Sequence, residues 1–176
     1  MEIYLVRHTA VDVPFGYTYG QTDVALKETF EEEAEKVKQN LSGLIFDHVW
    51  CSPLTRCVRL ADYCGYPDAM RDDRIKELNF GEWEMKSWHE LSDDPRSKSW
   101  FENWITTPTP GGESFHDQYN RVAAFLDEIR QYDYKKVCAF THGGVVTNAR
   151  VYAGEYGPEK AFENIPSYGE IIKLQF

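Results

Sequence analysis

Leu5-Val6-Arg7-His8-Thr9-Ala10-Val11 is the stretch on which the reading of this chain turns. It grows out of a short apolar run from Ile3 to Val6, which predicts a buried β-strand opening the protein. An Arg-His pair stands where that strand stops. In an open α/β sheet, ligands gather beyond the carboxyl ends of the strands. A cation and an imidazole at that place suit an anion, and the imidazole can also act as a nucleophile. By itself the dipeptide favours a plainer reading, a surface pair that ends a strand.

Three further apolar runs read as strands. His48-Val49-Trp50-Cys51 is the second, Val137-Cys138-Ala139-Phe140 the third and most continuous, and Ile171 to Phe176 the last. A run apolar on every residue suits the middle of a sheet covered on both faces. Between them lie helical patterns. Leu26, Phe30, Ala34, Val37, Leu41 and Leu44 form one apolar stripe, which predicts a helix over 26–44 that ends at Ser42-Gly43. Glu31, Glu32, Glu33 and Glu35 lie mostly off that stripe and read as a solvated face near the helix start, not as a metal site. Ser52 reads as an N-cap and Pro53 as the first residue of a second helix, which puts Arg56 in its first turn. Ser114 reads as another cap, before an amphipathic helix carrying Phe115, Tyr119, Val122, Leu126 and Ile129. A further helix runs from Val145 to Ala153. Strands alternating with helices predict a three-layer α/β/α fold with a mostly parallel, mixed sheet.

The strand ends carry the chemistry. Arg56 at a helix start has the wrong sign for the helix dipole, so either an anion or a local Asp or Glu must offset it. Thr141-His142-Gly143-Gly144 places a second histidine directly after a strand, with glycines that let backbone approach a ligand closely. Arg7, His8, Arg56 and His142 together are two guanidiniums and two imidazoles at corresponding edges of one sheet. That set can enclose a tetrahedral phosphate by charge-assisted hydrogen bonds. Two linking segments stand out. The loop Val11–Asp23 holds Tyr19-Gly20-Gln21-Thr22-Asp23 and, at thirteen residues, is long for a plain connection. From Glu77 to Pro110, acids alternate with large aromatics, including Phe80, Trp83, Trp88, Trp100, Phe101 and Trp104. This segment reads as a lid over a site, as an insertion with its own aromatic core, or as both.

Bulk properties narrow the classes. The chain has 176 residues, enough for one full core, and is 42% hydrophobic, 27% charged and 15% aromatic. No run is long enough to span a membrane and no basic-then-apolar leader precedes the first strand, which predicts a cytoplasmic protein with no membrane partner. The four cysteines, at 51, 57, 64 and 138, have neither disulfide nor zinc spacing. A net charge of −10 argues against nucleic acid as a partner. It does not argue against a phosphorylated metabolite. Remote charges are screened over roughly 8 Å at physiological salt, whereas an Arg about 4 Å from a phosphate is worth on the order of 4 kcal/mol before desolvation.

These motifs resemble, in order and over nearly the whole chain, the histidine phosphatase superfamily that includes the phosphoglycerate mutases. Leu5-Val6-Arg7-His8-Thr9 looks like its nucleophile motif, Gly20 to Leu26 like its Gly-x-x-Asp-x-x-Leu segment, and Ser52 to Arg56 like its Ser-x-x-x-Arg helix start. Glu77-Leu78-Asn79-Phe80-Gly81-Glu82-Trp83-Glu84 looks like its proton-donor segment, and Gly112-Glu113-Ser114 and Thr141-His142-Gly143-Gly144 complete the set. Thr9 after the histidine, the Tyr-Gly-Gln-Thr-Asp loop and the Glu-Leu-Asn-Phe-Gly-x-Trp-Glu segment are most similar to the α-ribazole phosphatases of the late cobalamin pathway. The resemblance implies that His8 attacks phosphorus, that Arg7, Arg56 and His142 hold the phosphoryl oxygens, with Gly20 and Gly143 lining the same site, and that Glu77 protonates the leaving alcohol. It implies no metal and no cofactor, because the arginines neutralise the charge. Thr9, Ala10 and Pro14 depart from the glycine, acid and asparagine common in the family, so the phosphate contact of that asparagine has no counterpart at Pro14. A mutase would want further substrate-gripping cations, for which Lys86, Arg96 and Lys98 are the candidates. A non-catalytic phospho-ligand module is the reading from another class. The sequence is compatible with a monomer or a dimer.

Overall fold

The computed structural model describes residues Met1–Phe176. Five strands form one sheet: β1 (Glu2–Arg7), β2 (His48–Cys51), β3 (Met70–Arg71), β4 (Lys136–Thr141) and β5 (Ile171–Gln175). Their order is β3-β2-β4-β1-β5. The first four run parallel, and β5 pairs antiparallel with β1 at the edge. The apolar run Val137–Phe140 is therefore the middle strand, as its continuous hydrophobicity predicts.

Successive side chains of a strand point to opposite faces, and two cores follow from that. Ile3, Leu5, Val137 and Ala139 pack with Val122, Phe125, Leu126 and Ile129 of α5 (Phe115–Ile129) and with Val145, Val146 and Ala149 of α6 (Gly143–Tyr152). Val6, Cys51, Cys138 and Phe140 pack on the other face with Phe30, Ala34, Val37 and Leu41 of α1 (Phe30–Leu41) and with Cys57, Leu60 and Ala61 of α2 (Thr55–Tyr63). The three-layer architecture is the expected one. All four cysteines are free thiols. No helix is long and apolar enough to cross a membrane.

Three boundaries differ from the sequence reading. The first helix is shorter than 26–44. Leu26 forms an antiparallel bridge with Val11, and the Ala25 carbonyl, which a helix starting at 26 would use for its first bond, accepts from the Asp12 N–H at 2.8 Å instead. The helix then stops at Leu41, with Ser42 extended and Gly43 at φ +79°. Ser52 and Pro53 do not start the second helix, which begins at Thr55 after Leu54. α6 begins at Gly143, two residues before the expected Val145, with His142 as its N-cap residue. Ser114 caps α5 as predicted, and its hydroxyl and Asp117 form a reciprocal capping box.

The stretch after β3 carries two short helices, α3 (Trp88–Ser92) and α4 (Ser97–Asn103). Trp83, Leu91 and Trp100 are buried among themselves, with Phe80, Trp88 and Trp104 against them. The insertion has its own aromatic core. A helical 3-10 segment, Pro158–Asn164, which the sequence pattern did not show, brings Phe162 to within 4.3 Å of the Trp104 ring.

Candidate active site

Arg7 and Thr141 are paired residues on β1 and β4, so His8 and His142 leave adjacent parallel strands side by side. Their ring centroids lie 5.3 Å apart and nearly edge-on. His8 is 1% exposed and His142 not at all. The His8 ring places Nδ1 2.7 Å from the Thr9 carbonyl oxygen. A carbonyl only accepts, so Nδ1 carries the proton and the lone pair is on Nε2. Burial, then the charges of Arg56 and Arg7, pushes the His8 pKa well below its ordinary value. Burial and Arg56 do the same to His142. Both imidazoles are neutral at pH 7.

Arg56 is fully buried. Its guanidinium donates to the Gly20 carbonyl at 2.6 Å and the Thr22 carbonyl at 3.0 Å. Neither of the alternatives weighed from sequence describes this, because the partners are backbone oxygens of the Tyr19–Asp23 loop. Asp23 serves the helix start instead, accepting from the backbone N–H of Thr55 at 3.0 Å. Arg7 donates to the Pro166 carbonyl. The Nε atoms of both arginines and the Thr9 hydroxyl are buried with no protein partner. Such donors favour an anionic acceptor between them.

Ser52 lies outside the helix, where its hydroxyl accepts from the Leu54 N–H at 3.4 Å and shares a 2.7 Å hydrogen bond with His142 Nε2. Gly143 abuts Arg7: a Cβ there would lie 3.2 Å from Arg7 Nε. Gly20 is wedged against the insertion, where a Cβ would fall 1.7 Å from the Leu78 carbonyl oxygen. Its carbonyl, rather than an open face toward ligand, is what it contributes.

Glu77 meets this cluster from the insertion. Its carboxylate accepts from the N–H of Leu78 at 2.8 Å, the Gln118 side chain at 3.1 Å and the N–H of Gly144 at 3.2 Å. Arg7, Glu77, Gly143 and Gly144 line one cavity of about 160 Å³, whose remaining wall includes Leu78, Phe80, Trp88, Trp100, Trp104 and Phe162. The insertion therefore both has its own core and walls the site. No group of three or more His, Cys, Asp or Glu side chains converges to hold a metal ion.

Residues 3–176 match the sequence profile of the histidine phosphatase superfamily, branch 1. The chain belongs to that superfamily. Among relatives of this histidine phosphatase superfamily member, Phosphoserine phosphatase 1 of Hydrogenobacter thermophilus is 30% identical over 140 residues, which are 74% of this chain and 65% of the relative, just under two thirds of its length. Adenosylcobalamin/alpha-ribazole phosphatase of Escherichia coli is 27% identical over 154 residues, 84% of this chain and 76% of the relative. The alpha-ribazole phosphatase of Shigella flexneri superposes with a TM-score of 0.90 over 99% of this chain and 90% of that one; at 22% identity, this likeness speaks for the fold alone.

Several residues around the superfamily site escaped the sequence reading. Glu33, read as part of a solvated face, accepts from the N–H of Ala10 at 2.8 Å and so fixes the turn after His8. Glu84 accepts from the N–H groups of Gln21, Thr22 and Phe80 and from the Thr22 hydroxyl at 2.6 Å. Arg121, held by Glu113 at 2.8 Å, donates to the carbonyls of Arg74, Lys76 and Glu77. Gln118 is held by Asn148 at 3.0 Å. Gln118 and Asn148 sit at buried helix positions, and that was the signal available. Tyr168, beside Arg7 and His8, had none. His48, His89 and His116 stand outside the site, with His48 against Trp50 and Tyr134.

Proposed function

We propose that the chain is a phosphomonoester hydrolase that works through a phosphohistidine at His8 on a substrate with a flat, apolar alcohol portion, α-ribazole 5′-phosphate first among such compounds. His8 Nε2 attacks phosphorus as the P–O bond to the alcohol breaks. Glu77 gives its proton to the leaving oxygen. Arg7, Arg56 and His142 hold the phosphoryl oxygens while charge spreads over them. In the second step water attacks the phosphohistidine, Glu77 takes a proton from that water, and the N–P bond breaks to release inorganic phosphate and restore His8.

The observation that carries the substrate class is the wall of the cavity. Its charged residues are Arg7 and Glu77 alone, and the rest of its surface is dominated by indole and phenyl rings. Phosphoserine and 3-phosphoglycerate each carry a carboxylate that would need a further cation. The sequence candidates for that cation do not supply it. Arg96 is taken by Glu82 and Asp94, each at 2.8 Å, and neither Lys86 nor Lys98 lines the cavity. A benzimidazole-like base, in contrast, would stack on the rings. A broad-specificity metabolite phosphatase is the second reading, favoured by the small share of the wall that is polar. Phosphate release from a metabolite panel, assayed in EDTA, tests both. Preference for α-ribazole 5′-phosphate over phosphoserine and 3-phosphoglycerate is expected; equal or greater turnover of the charged compounds would overturn the substrate class. Phosphate binding without any turnover would favour the non-catalytic module.

A further inference from the structure

Two tyrosines close over His8. Tyr19 stands on the loop whose carbonyls hold Arg56, and its ring lies 5.5 Å from the Arg56 guanidinium and 6.4 Å from the His8 ring. Tyr168 stands on the segment whose Pro166 carbonyl takes a bond from Arg7, and its ring lies 4.1 Å from the Arg7 guanidinium and 5.6 Å from the His8 ring. The segment is pinned to the nucleophile itself, since the Gly169 N–H donates to the His8 carbonyl at 3.1 Å. The two hydroxyls meet at 2.5 Å. A bridge of two rings thus runs from one arginine to the other beside the nucleophile, joined at one hydrogen bond.

That bridge is placed at a boundary. The aromatic cavity reaches Arg7 and Tyr19, but His8 does not line it. Tyr19 stands both in the cavity wall and beside His8, so a phosphoryl group passing from the cavity to His8 meets the bridge at that ring. Hydroxyl counting says what would part it. In a pair of hydroxyls one O–H donates to the other, and the second proton is left to find another acceptor. A phosphoryl group held between the two guanidiniums offers charged oxygens to both, and bonds to charged acceptors exceed a neutral hydroxyl pair. We propose that Tyr19 and Tyr168 are substrate-contacting residues, a clasp whose hydroxyls exchange their mutual bond for bonds to phosphoryl oxygens when substrate seats beside His8. The inference rests on the hydrolase reading and extends it to two residues that the resemblance left without a role.

Tyr19→Phe and Tyr168→Phe test it, because phenylalanine keeps each ring on its guanidinium and removes only the hydroxyl. Inorganic phosphate is the binding probe and p-nitrophenyl phosphate the substrate. Each variant should raise the Kd for phosphate and the KM by about tenfold, the worth of one bond to a charged acceptor. The kcat should stay within about twofold, as expected of contacts made alike in ground and transition states. Variants that bind phosphate as the parent does, or that lose kcat at unchanged KM, would overturn the clasp. A readout on the unsubstituted protein guards against a variant that fails to fold: phosphate should perturb its tyrosine absorption, and an unchanged spectrum would count against the clasp. A parent that forms phosphohistidine while both variants bind phosphate normally leaves the hydrolase reading intact and removes the clasp alone. A parent that binds no phosphate removes both.

Discussion

The proton of the His8 ring is fixed by the residue next to it: Nδ1 lies 2.7 Å from the carbonyl oxygen of Thr9. The same bond orients the ring, since a donor on one nitrogen leaves the lone pair on the other. Nitrogen NMR of labelled protein should show His8 with a protonated Nδ1 and a bare Nε2. That pattern should persist as pH falls well below the ordinary histidine value of 6.5, because burial and two arginines disfavour the imidazolium. A His8 titrating at 6.5 or above would contradict this account.

Stability should respond to acid for the same reason. His8 and His142 both have folded-state pKa values pushed below 6.5, chiefly by burial. The unfolded chain then binds more protons than the folded one once pH drops under that value. Their full contribution is present above pH 6.5 and is lost as pH falls toward the folded values. Each site can add a slope of at most about 1.4 kcal/mol per pH unit. Urea unfolding at pH 7 and pH 5 measures it, and His142→Gln should flatten the slope relative to the parent.

Glu84 should matter to catalysis without touching substrate. It gathers three backbone N–H groups and one hydroxyl from two segments, and so sets the loop whose carbonyls grip Arg56. Glu84→Gln replaces a charged acceptor by a weaker one and leaves part of that set unpaired. A loss of about 1–3 kcal/mol in stability is expected, with kcat/KM down by about tenfold or more as Arg56 shifts. Unchanged kinetics in a destabilised variant would show that the loop holds Arg56 by other means.

Gly144 separates the two halves of the mechanism. A Cβ there would lie 2.3 Å from Glu77 Oε1 and 2.8 Å from Gln118 Oε1, far inside contact distance. Gly144→Ala should displace the Glu77 carboxyl while leaving His8 in place. Alkyl phosphates, whose leaving oxygen needs a proton, should then slow by about a hundredfold or more, and Glu77→Gln should slow them likewise. p-Nitrophenyl phosphate needs little protonation and should be much less affected. Equal losses on the two substrates would remove Glu77 from the general-acid role.

His8→Ala should abolish both turnover and acid-labile labelling from a phosphate donor. Labelling that survives would move the nucleophile elsewhere. Background hydrolysis at roughly a thousandth of the parent rate or less is the expected remainder, since the nucleophile supplies a whole covalent route.

What could be read in advance follows physical range. Strand ends and helix stripes are local patterns, so β1, β2, β4, α5 and the positions of Arg7, His8, Arg56 and His142 were legible from residue type and spacing. The gathering of His8 and His142 needed one further rule, that parallel strands share an edge. Side chains whose partners lie far along the chain were not legible. Ser52 has the composition of a cap, yet its shortest bond, at 2.7 Å, is to His142. Glu33 has the composition of a solvated face and holds Ala10. Leu26 fits the helical stripe, yet a bridge to Val11 claims it. In each case a tertiary hydrogen bond outweighed a local preference, and nothing local announces such a bond.

The pairing of Arg7 with Thr141 has an engineering consequence. Because both histidines stand one step past matched rungs of neighbouring strands, the distance between them is dictated by the lateral repeat of the sheet, about 4.8 Å. The 78–110 stretch lies between those rungs in sequence but contributes no strand to the sheet, so exchanging it leaves that spacing untouched. Grafting the 78–110 stretch of a relative onto this frame, with Glu77 kept in place, should therefore re-address the proposed hydrolase to a new alcohol while the groups proposed to discharge a phosphorylated His8 stay where they are.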